Sequence, residues 1–409
     1  MMMNWPESFV NQVHCADSFE FMKLIPDGVI DMCITSPPYW GLRDYGIEQI
    51  FSDGWKGQLG LEPTPEMYIE HLTEIFNEVK RVLKKEGKFW LNIGDTYWGG
   101  KGRSAHGDPE RHIKRLLEGK TINKPYQEIG SPGEIKPGDG KHDFIQAKSL
   151  CMIPERLAWS LIQDGWILRN KIIWFKRNSM PSSVKDRFSN RYEFVYMFSK
   201  GKKYYFDLDA VREPYMDSTF KRVNQNEGNP KWDGDHKRGS PQAQHTLNPK
   251  QFVHPQGKNP GDVWIIPTQP CPVKGIHFAT FPEELCRKAI IPGCPEEVCK
   301  KCGKARERII EAKGGAIGKS WHNHKKDLQR GNRAIKEAKG GHGYHRVFLG
   351  YKSCKCNAGF EPGIVLDPFA GIGTAGYVAR KLGRRFIMID IKPEYCEKAE
   401  NIRLAQGVL

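Results

Sequence analysis

Val29-Ile30-Asp31-Met32-Cys33-Ile34-Thr35-Ser36-Pro37-Pro38-Tyr39-Trp40 governs how the chain is read. Its first six residues form a short apolar run with the character of a buried strand. Two successive prolines can neither extend a strand nor sit inside a helix, so the chain must turn. Each residue before a proline is pushed toward extended backbone. The result is a stiff loop at a strand's carboxyl end, offering the Ser36 hydroxyl, two carbonyls and two aromatic rings. Such a loop suits a flat, polar, aromatic group. Taken alone, it also fits a proline-rich surface turn.

Working outward, Ser8–His14 alternates, and Asp17 and Ser18 stand as caps before Phe19–Ile25. Residues 8–40 thus read as strand, helix, strand. The five glycines between 41 and 60 predict a loop. Thr64 then caps a helix running to Lys85, with Pro65 at its first position and Tyr68, Leu72, Ile75, Val79 and Leu83 on one face; Gly87 ends it. Strands are expected at Lys88–Ile93, Ile167–Phe175, Tyr192–Phe198 and Asp262–Ile266, and helices at Ile153–Ile162 and Pro282–Ile291. A second βαβ-like unit closes the chain: strand Gly363–Leu366, turn Asp367–Ala370, helix Gly371–Leu382, strand Arg385–Asp390, helix Pro393–Leu404.

Three polar, basic, Gly/Pro-punctuated stretches interrupt this pattern. The expected organisation is a catalytic half at 1–98, an insertion at 99–148, core at 149–211, a candidate target-recognition segment at 212–260, cofactor-side core at 261–298, a cysteine-bracketed insertion at 299–356 and a cofactor-binding half at 357–409. The 409 residues carry 63 Lys+Arg against 48 Asp+Glu, a net charge of +15, which points to a polyanionic partner, most simply nucleic acid. An ordinary basic surface is the plainer alternative. No run of 18 apolar residues and no signal peptide is visible. Eleven cysteines in such a chain read as reduced thiols with one metal site, so a cytoplasmic protein with no membrane partner is expected. Nothing in the sequence separates a monomer from a homodimer.

Asp367-Pro368-Phe369-Ala370-Gly371-Ile372-Gly373-Thr374 sits between a β-run and a helix. Glycines there let backbone amides approach a ligand. Asp390 ends the next strand after about 20 residues, the spacing at which an acid reads a ribose hydroxyl in dinucleotide folds. Together these features suggest a nucleoside-type cofactor; a tight turn with a capping Asp is the simpler alternative.

Ser36-Pro37-Pro38-Tyr39 resembles the catalytic signature of amino-directed DNA methyltransferases, and Asp367–Thr374 resembles their S-adenosylmethionine motif. Catalytic motif first and cofactor motif last is the order of the permuted β group. His277-Phe278-Ala279-Thr280-Phe281-Pro282-Glu283-Glu284-Leu285 resembles that family's cofactor-side element, and Asp17 falls where the family has an acid near the cofactor adenine. The resemblance implies an α/β, Rossmann-like class I methyltransferase core with a mostly parallel sheet, acting on double-stranded DNA. It implies Ser36, Pro37, Pro38 and Tyr39 as catalytic residues. It implies Asp17, Thr35, Phe278, Thr280, Phe281, Glu283, Asp367, Pro368, Phe369, Ala370, Gly371, Gly373, Thr374 and Asp390 around the cofactor. A serine at the first motif position resembles the N4-cytosine enzymes; N6-adenine is the alternative. The chemistry agrees. An exocyclic amino nitrogen has its lone pair conjugated into the ring. Acceptors on its hydrogens pull it toward sp³, and in-line placement does the rest. The base must leave the duplex to be reached.

Cys299-Lys-Lys-Cys302 and Cys354-Lys-Cys356 form a CxxC and a CxC able to offer four thiolates to structural zinc. Cys294 is excluded, and His322, His324, His342 and His345 are possible substitutes. Four free thiols are the simpler alternative. Asp95 reads either as a substrate contact or as a cap. Arg177, Lys185, Arg187 and Arg191 are expected at phosphates, with a solvated basic face as the simpler alternative, and Trp174 in the core. Two other functions compete. An NAD-type oxidoreductase is disfavoured because the glycine turn opens Asp-Pro-Phe and lacks GxGxxG. A non-catalytic zinc-containing DNA-binding protein is disfavoured by the intact Ser36–Tyr39.

Overall fold

The computed structural model describes residues 4–99, 142–179, 182, 184–216, 218–219, 254, 257–272, 282–313, 345–352 and 354–405. Two compact units are formed: one from 1–205, 262–296 and 361–409, the other from 206–261 and 297–360. The stretches expected as a recognition segment and as a cysteine-bracketed insertion therefore fall in one unit.

The first unit is built on an eight-stranded sheet. Its elements are β1 (Gln12–Cys15), α1 (Ser18–Met22), β2 (Ile30–Thr35), β3 (Gln49–Ile50), β4 (Lys56–Gly57), α2 (Pro65–Val82), β5 (Leu83–Ile93), α3 (Ile153–Gln163), β6 (Ile167–Phe175), β7 (Tyr192–Ser199), β8 (Val263–Ile265) and α4 (Glu283–Gly293). In chain order β9 (Val298–Cys299), β10 (Glu307–Lys313), β11 (His345–Lys352) and β12 (Phe360–Glu361) follow. Then β13 (Ile364–Asp367), α5 (Thr374–Lys381), β14 (Arg385–Asp390) and α6 (Pro393–Lys398) complete the chain. The sheet order is β1-β14-β13-β2-β5-β7-β6-β8. Strands β1, β14, β13, β2 and β5 are mutually parallel, β7 runs against both neighbours, and β8 is parallel to β6. This is the expected mostly parallel α/β sheet.

Burial explains the apolar runs. Every residue of β2 and of β13 is buried, as a parallel strand covered on both faces requires. One face carries the core of α1, α2 and α3, including Phe21, Leu72, Phe76, Phe89 and Leu157. The other carries α4 and α5 with Met32, Ile34, Trp90, Leu285, Ile290 and Ala375. Helix α2 starts as its sequence dictates: the Thr64 hydroxyl accepts from Met67 N at 3.2 Å and Pro65 takes the first turn. The chain leaves β2 through α2 toward β5, and leaves β13 through α5 toward β14. The connections thus diverge between β2 and β13, and that switch point opens a crevice at the strands' carboxyl ends. There Val365 pairs with Met32 and Leu366 with Cys33.

Several elements differ from expectation: β1 starts at Gln12 rather than Ser8, after turns over 5–11, and α1 ends at Met22 rather than Ile25. Helix α2 ends at Val82 rather than Lys85, and β5 starts at once; Gly87 lies in an excursion of that strand, where Met32 pairs Lys88 although Ile30 pairs Leu83. Residues 41–60 contain the short β3–β4 hairpin, reversed at Gly54 with φ +85°. Helix α5 starts at Thr374, because Gly371 and Gly373, at φ +51° and +75°, belong to the turn. The last helix widens into a π-turn over Ala399–Leu404. Among the described residues no helix is long and apolar enough to cross a membrane.

Candidate active site

The crevice at the switch point is a cavity of about 600 Å³, and residues of both motifs line it: Ser36, Pro37, Pro38 and Tyr39 from the first, Phe369, Ala370, Gly371 and Thr374 from the second. One bond joins the motifs. Thr35 Oγ1, at the end of β2, donates to Asp367 Oδ1 at 2.6 Å, and Phe369 N donates to the same oxygen at 3.1 Å. Both side chains are fully buried. Among the described residues Asp367 Oδ2 is buried without a partner, and burial pushes the carboxyl pKa up to about 7. A second tie runs from Ser18 Oγ to the Pro368 carbonyl.

Loop 36–40 is fixed from below. Tyr68 OH donates to the Pro38 carbonyl at 2.6 Å, and Trp40 Nε1 to the Glu62 carbonyl at 2.9 Å. Glu62, itself fully buried, accepts from Gly60 N at 2.7 Å and contacts His71 Nδ1 at 3.0 Å. Gly60 N–H and the surrounding turn thus hold the 41–60 segment under Pro38; a side chain at Gly60 would come within 3.3 Å of Pro38.

Tyr39 is held at both ends. Its ring covers Gly94, where a Cβ would lie 2.6 Å from ring carbon Cε2. Its hydroxyl lies 2.9 Å from Glu193 Oε2 and 3.2 Å from Asn92 Oδ1, and receives the Ser36 hydroxyl at 3.4 Å. Burial, then the Glu193 charge, raises the Tyr39 pKa well above the usual phenol range, so it stays a donor. Glu193 also pairs with Lys176. Asn92, Lys176 and Glu193 were not picked from the sequence. Glu193 carried a signal: it is the only acid in the otherwise apolar strand β7.

At the other end, Asp17 caps α1 through Glu20 N at 2.9 Å and accepts from Gln49. Asp390 accepts Gly371 N at 2.7 Å and Lys392 N at 2.9 Å, and burial raises its pKa. Both line the cavity. Thr35, Asp367, Pro368 and Gly373 lie behind its wall as supports. Glu283 is elsewhere: it pairs with Arg403 and Lys381 at the start of α4 and is not a lining residue. Its acidic position is accounted for by those two cations. Phe278, Thr280 and Phe281 lie outside the described residues. Asp95 both lines the cavity and caps α3, accepting Met152 N and Ile153 N at 3.1 Å each. Trp174 is core, yet reaches the cavity wall.

In the second unit, Cys299, Cys302, Cys354 and Cys356 converge, their sulfurs within 4.8 Å of one another. Zinc–sulfur bonds of about 2.3 Å would set tetrahedral sulfurs at about 3.8 Å, so a modest contraction suffices. The Cys299–Gly303 turn is closed by Gly303 N to Cys299 O at 2.9 Å, with Gly303 at φ +67°. The amides of Cys302 and Lys301 lower the Cys299 thiol to about 6. Cys294 is a buried core residue of the first unit, apart from this group.

A family model described as DNA methylase, of the N6/N4 type, matches residues 30–297 and 351–401. Type II methyltransferase M.Cfr9I of Citrobacter freundii is 30% identical over 386 residues, which are 94% of this chain and 85% of that protein. Type II methyltransferase M.XycI of Xanthomonas campestris pv. cyanopsidis is 31% identical over 380 residues, 93% and 83%. Among solved structures, PvuII DNA methyltransferase (cytosine-N4-specific) aligns over 95% of this chain and 84% of that one, at 14% identity and a TM-score of 0.48. The chain belongs to the amino-directed DNA methylase family, of the restriction–modification type.

Proposed function

We propose that this protein transfers a methyl group from S-adenosylmethionine to N4 of a cytosine flipped out of duplex DNA. The observation that carries this is the Thr35–Asp367 hydrogen bond, which sets the Ser36–Tyr39 loop and the Phe369–Thr374 turn on one cavity. The orphaned Asp367 Oδ2, the acids Asp17 and Asp390, and the apolar Phe369 suit a donor carrying a positive sulfonium, an amino acid and a nucleoside. That donor supplies an electrophilic methyl group. Ser36 Oγ and the Pro37 carbonyl accept the amino hydrogens and free the nitrogen lone pair for in-line attack; as the nitrogen–carbon bond forms, the carbon–sulfur bond breaks to leave a neutral thioether, and the nitrogen sheds one proton to solvent. Tyr39, fixed by Gly94 and Glu193, offers its exposed face to the base. A thiol nucleophile is not needed, since nitrogen and not ring carbon attacks. Ser36 as a neutral acceptor favours cytosine over adenine.

The basic balance of the chain, with Lys185, Arg187 and Arg191 exposed at 185–191, supports contact with the DNA backbone. Segments 99–148 and 212–260 are the proposed target-recognition elements. Cys299, Cys302, Cys354 and Cys356 would hold one structural zinc, a staple for the second unit with no part in transfer. The substrate places the protein with DNA in the cytoplasm of a prokaryotic cell or infected host. The test is transfer of a labelled methyl group to plasmid DNA, followed by nucleoside mass spectrometry. N4-methylcytosine is expected. Only N6-methyladenine would overturn the base, and label persisting in a Ser36→Ala/Tyr39→Ala variant would overturn the mechanism.

A further inference from the structure

Tyr39 shares its end of the cavity with an ion pair, Lys176–Glu193, whose lysine has no part in the transfer described above. Lys176 immediately follows β6, and its backbone N–H donates to Arg191 O at 2.7 Å. Glu193 lies opposite Trp174 on β7. Lys176 Nζ pairs with Glu193 Oε1 and sits 4.5 Å above the Trp174 ring. Glu193 Oε2 receives Tyr39 OH at 2.9 Å and Asn92 Nδ2 at 3.3 Å. The two side chains keep only 20% and 18% of their exposure, yet both line the cavity. The other lining cations among the described residues, Arg43 and Lys392, belong with the cofactor end: Lys392 follows Asp390, and Gln58 bridges Arg43 O and Tyr45 N.

An ammonium has three donors and no acceptor. Glu193 takes one of them, and the Trp174 face holds the stem end in place. The remaining donors can turn toward the cavity. Seen from the amino group that Ser36 and Pro37 would hold, the edge of cytosine continues with two acceptors, N3 and then O2. The edge of adenine continues with one acceptor, N1, and then a C2–H. A fixed ammonium beyond Tyr39 satisfies the first pattern. It is left with an unmatched donor by the second.

We propose that Lys176, held by Glu193 and Trp174, reads the N3/O2 edge of the flipped base and so selects cytosine over adenine. This rests on the N4-cytosine reading above. A site built around such a donor rejects an analogue that lacks the acceptor, because a desolvated polar group is then unpaired. Lys176 therefore adds a reading of the N3/O2 edge to the preference that Ser36 gives at the amino group.

The test uses the full chain and plasmid DNA from a methylation-deficient strain. Wild type, Lys176→Met, Lys176→Arg and Lys176→Met/Glu193→Gln are compared by nucleoside mass spectrometry for N4-methylcytosine and N6-methyladenine. S-adenosylmethionine binding, measured by calorimetry, reports folding. The expected result for Lys176→Met is a fall of tenfold or more in N4-methylcytosine and a rise in the N6-methyladenine share, with cofactor affinity unchanged. Lys176→Arg should keep the cytosine preference. The double variant should stay defective. Wild-type behaviour of the double variant would reduce Lys176 to a counter-ion of Glu193 and overturn the inference, as would an unchanged product ratio in Lys176→Met. Failure of the cytosine reading itself shows separately, in the product of the wild-type protein.

Discussion

Replacing Thr35 with Val keeps the shape of the side chain and removes one hydrogen bond, the 2.6 Å contact to Asp367 Oδ1. Asp367 then keeps one donor, Phe369 N, in a fully buried position. A hydrogen bond to a charged acceptor is worth about 1.5–3 kcal/mol, and one pKa unit corresponds to about 1.4 kcal/mol. The Asp367 pKa, already pushed up to about 7 by burial, should therefore rise by about 1–2 units more. On the proposed reading, the positive groups of a bound donor favour the ionised carboxylate from across the cavity wall, so binding should release the proton whenever Asp367 holds one. For wild type, affinity should be level above pH 7 and weaken about tenfold per pH unit below it. In Thr35→Val the bend should move to higher pH, leaving affinity about tenfold weaker at pH 7.5. The sign for folding is the opposite. A carboxyl whose pKa is raised on folding contributes stability at pH below about 4, and that contribution is lost as pH rises through 7. Calorimetric titration with S-adenosylmethionine from pH 6 to 9, in two buffers of different ionisation enthalpy, measures both affinity and protons released. Affinity that is flat from pH 6 to 8, with no proton release and no difference in Thr35→Val, would refute the reasoning.

Gly94→Ala places a Cβ 2.6 Å from the Tyr39 ring, forcing the ring off its hydroxyl partners; kcat should fall about 10- to 100-fold with donor affinity intact, read by labelled methyl transfer and calorimetry. Metal analysis of purified protein should find one zinc per chain, and Cys356→Ser should lose it while S-adenosylmethionine binding persists. Burial opposes protonation of His71, but the Glu62 and Asp53 carboxylates outweigh it, so its pKa is raised; its contribution to stability is present below pH 6.5 and lost as pH rises past its folded value. Thermal unfolding of wild type should therefore weaken over that range more than unfolding of His71→Gln.

Much of the site was legible because its parts are local. A double proline after an apolar run and a glycine turn before a helix are patterns of a few adjacent residues, and both sit where the sequence placed them. Thr64–Pro65 and the Asp17 cap are of the same kind. What stayed hidden depends on register between strands. Asn92 and Glu193 meet at Tyr39 only because β5 and β7 pair antiparallel, with Ile93 opposite Phe194. The partners of Glu283 were hidden for a related reason: an acid in a first helical turn suits the helix dipole, but the cations it pairs with, Lys381 and Arg403, come from elements about 100 residues on.

The position of β13 between β2 and β14 also has a consequence for biosynthesis. Strand β2 is complete within the first 35 residues, but its neighbour on one side emerges only after residue 364. Until then β2 presents an open edge, and the loop that ends it has no turn to face. A chain cut short before residue 361 would carry the Ser36–Tyr39 loop and β5 yet lack the strands that close the crevice. Without β13 and β14 the Ser36–Tyr39 loop faces no glycine turn, and no methyl transfer is expected from such a truncated chain.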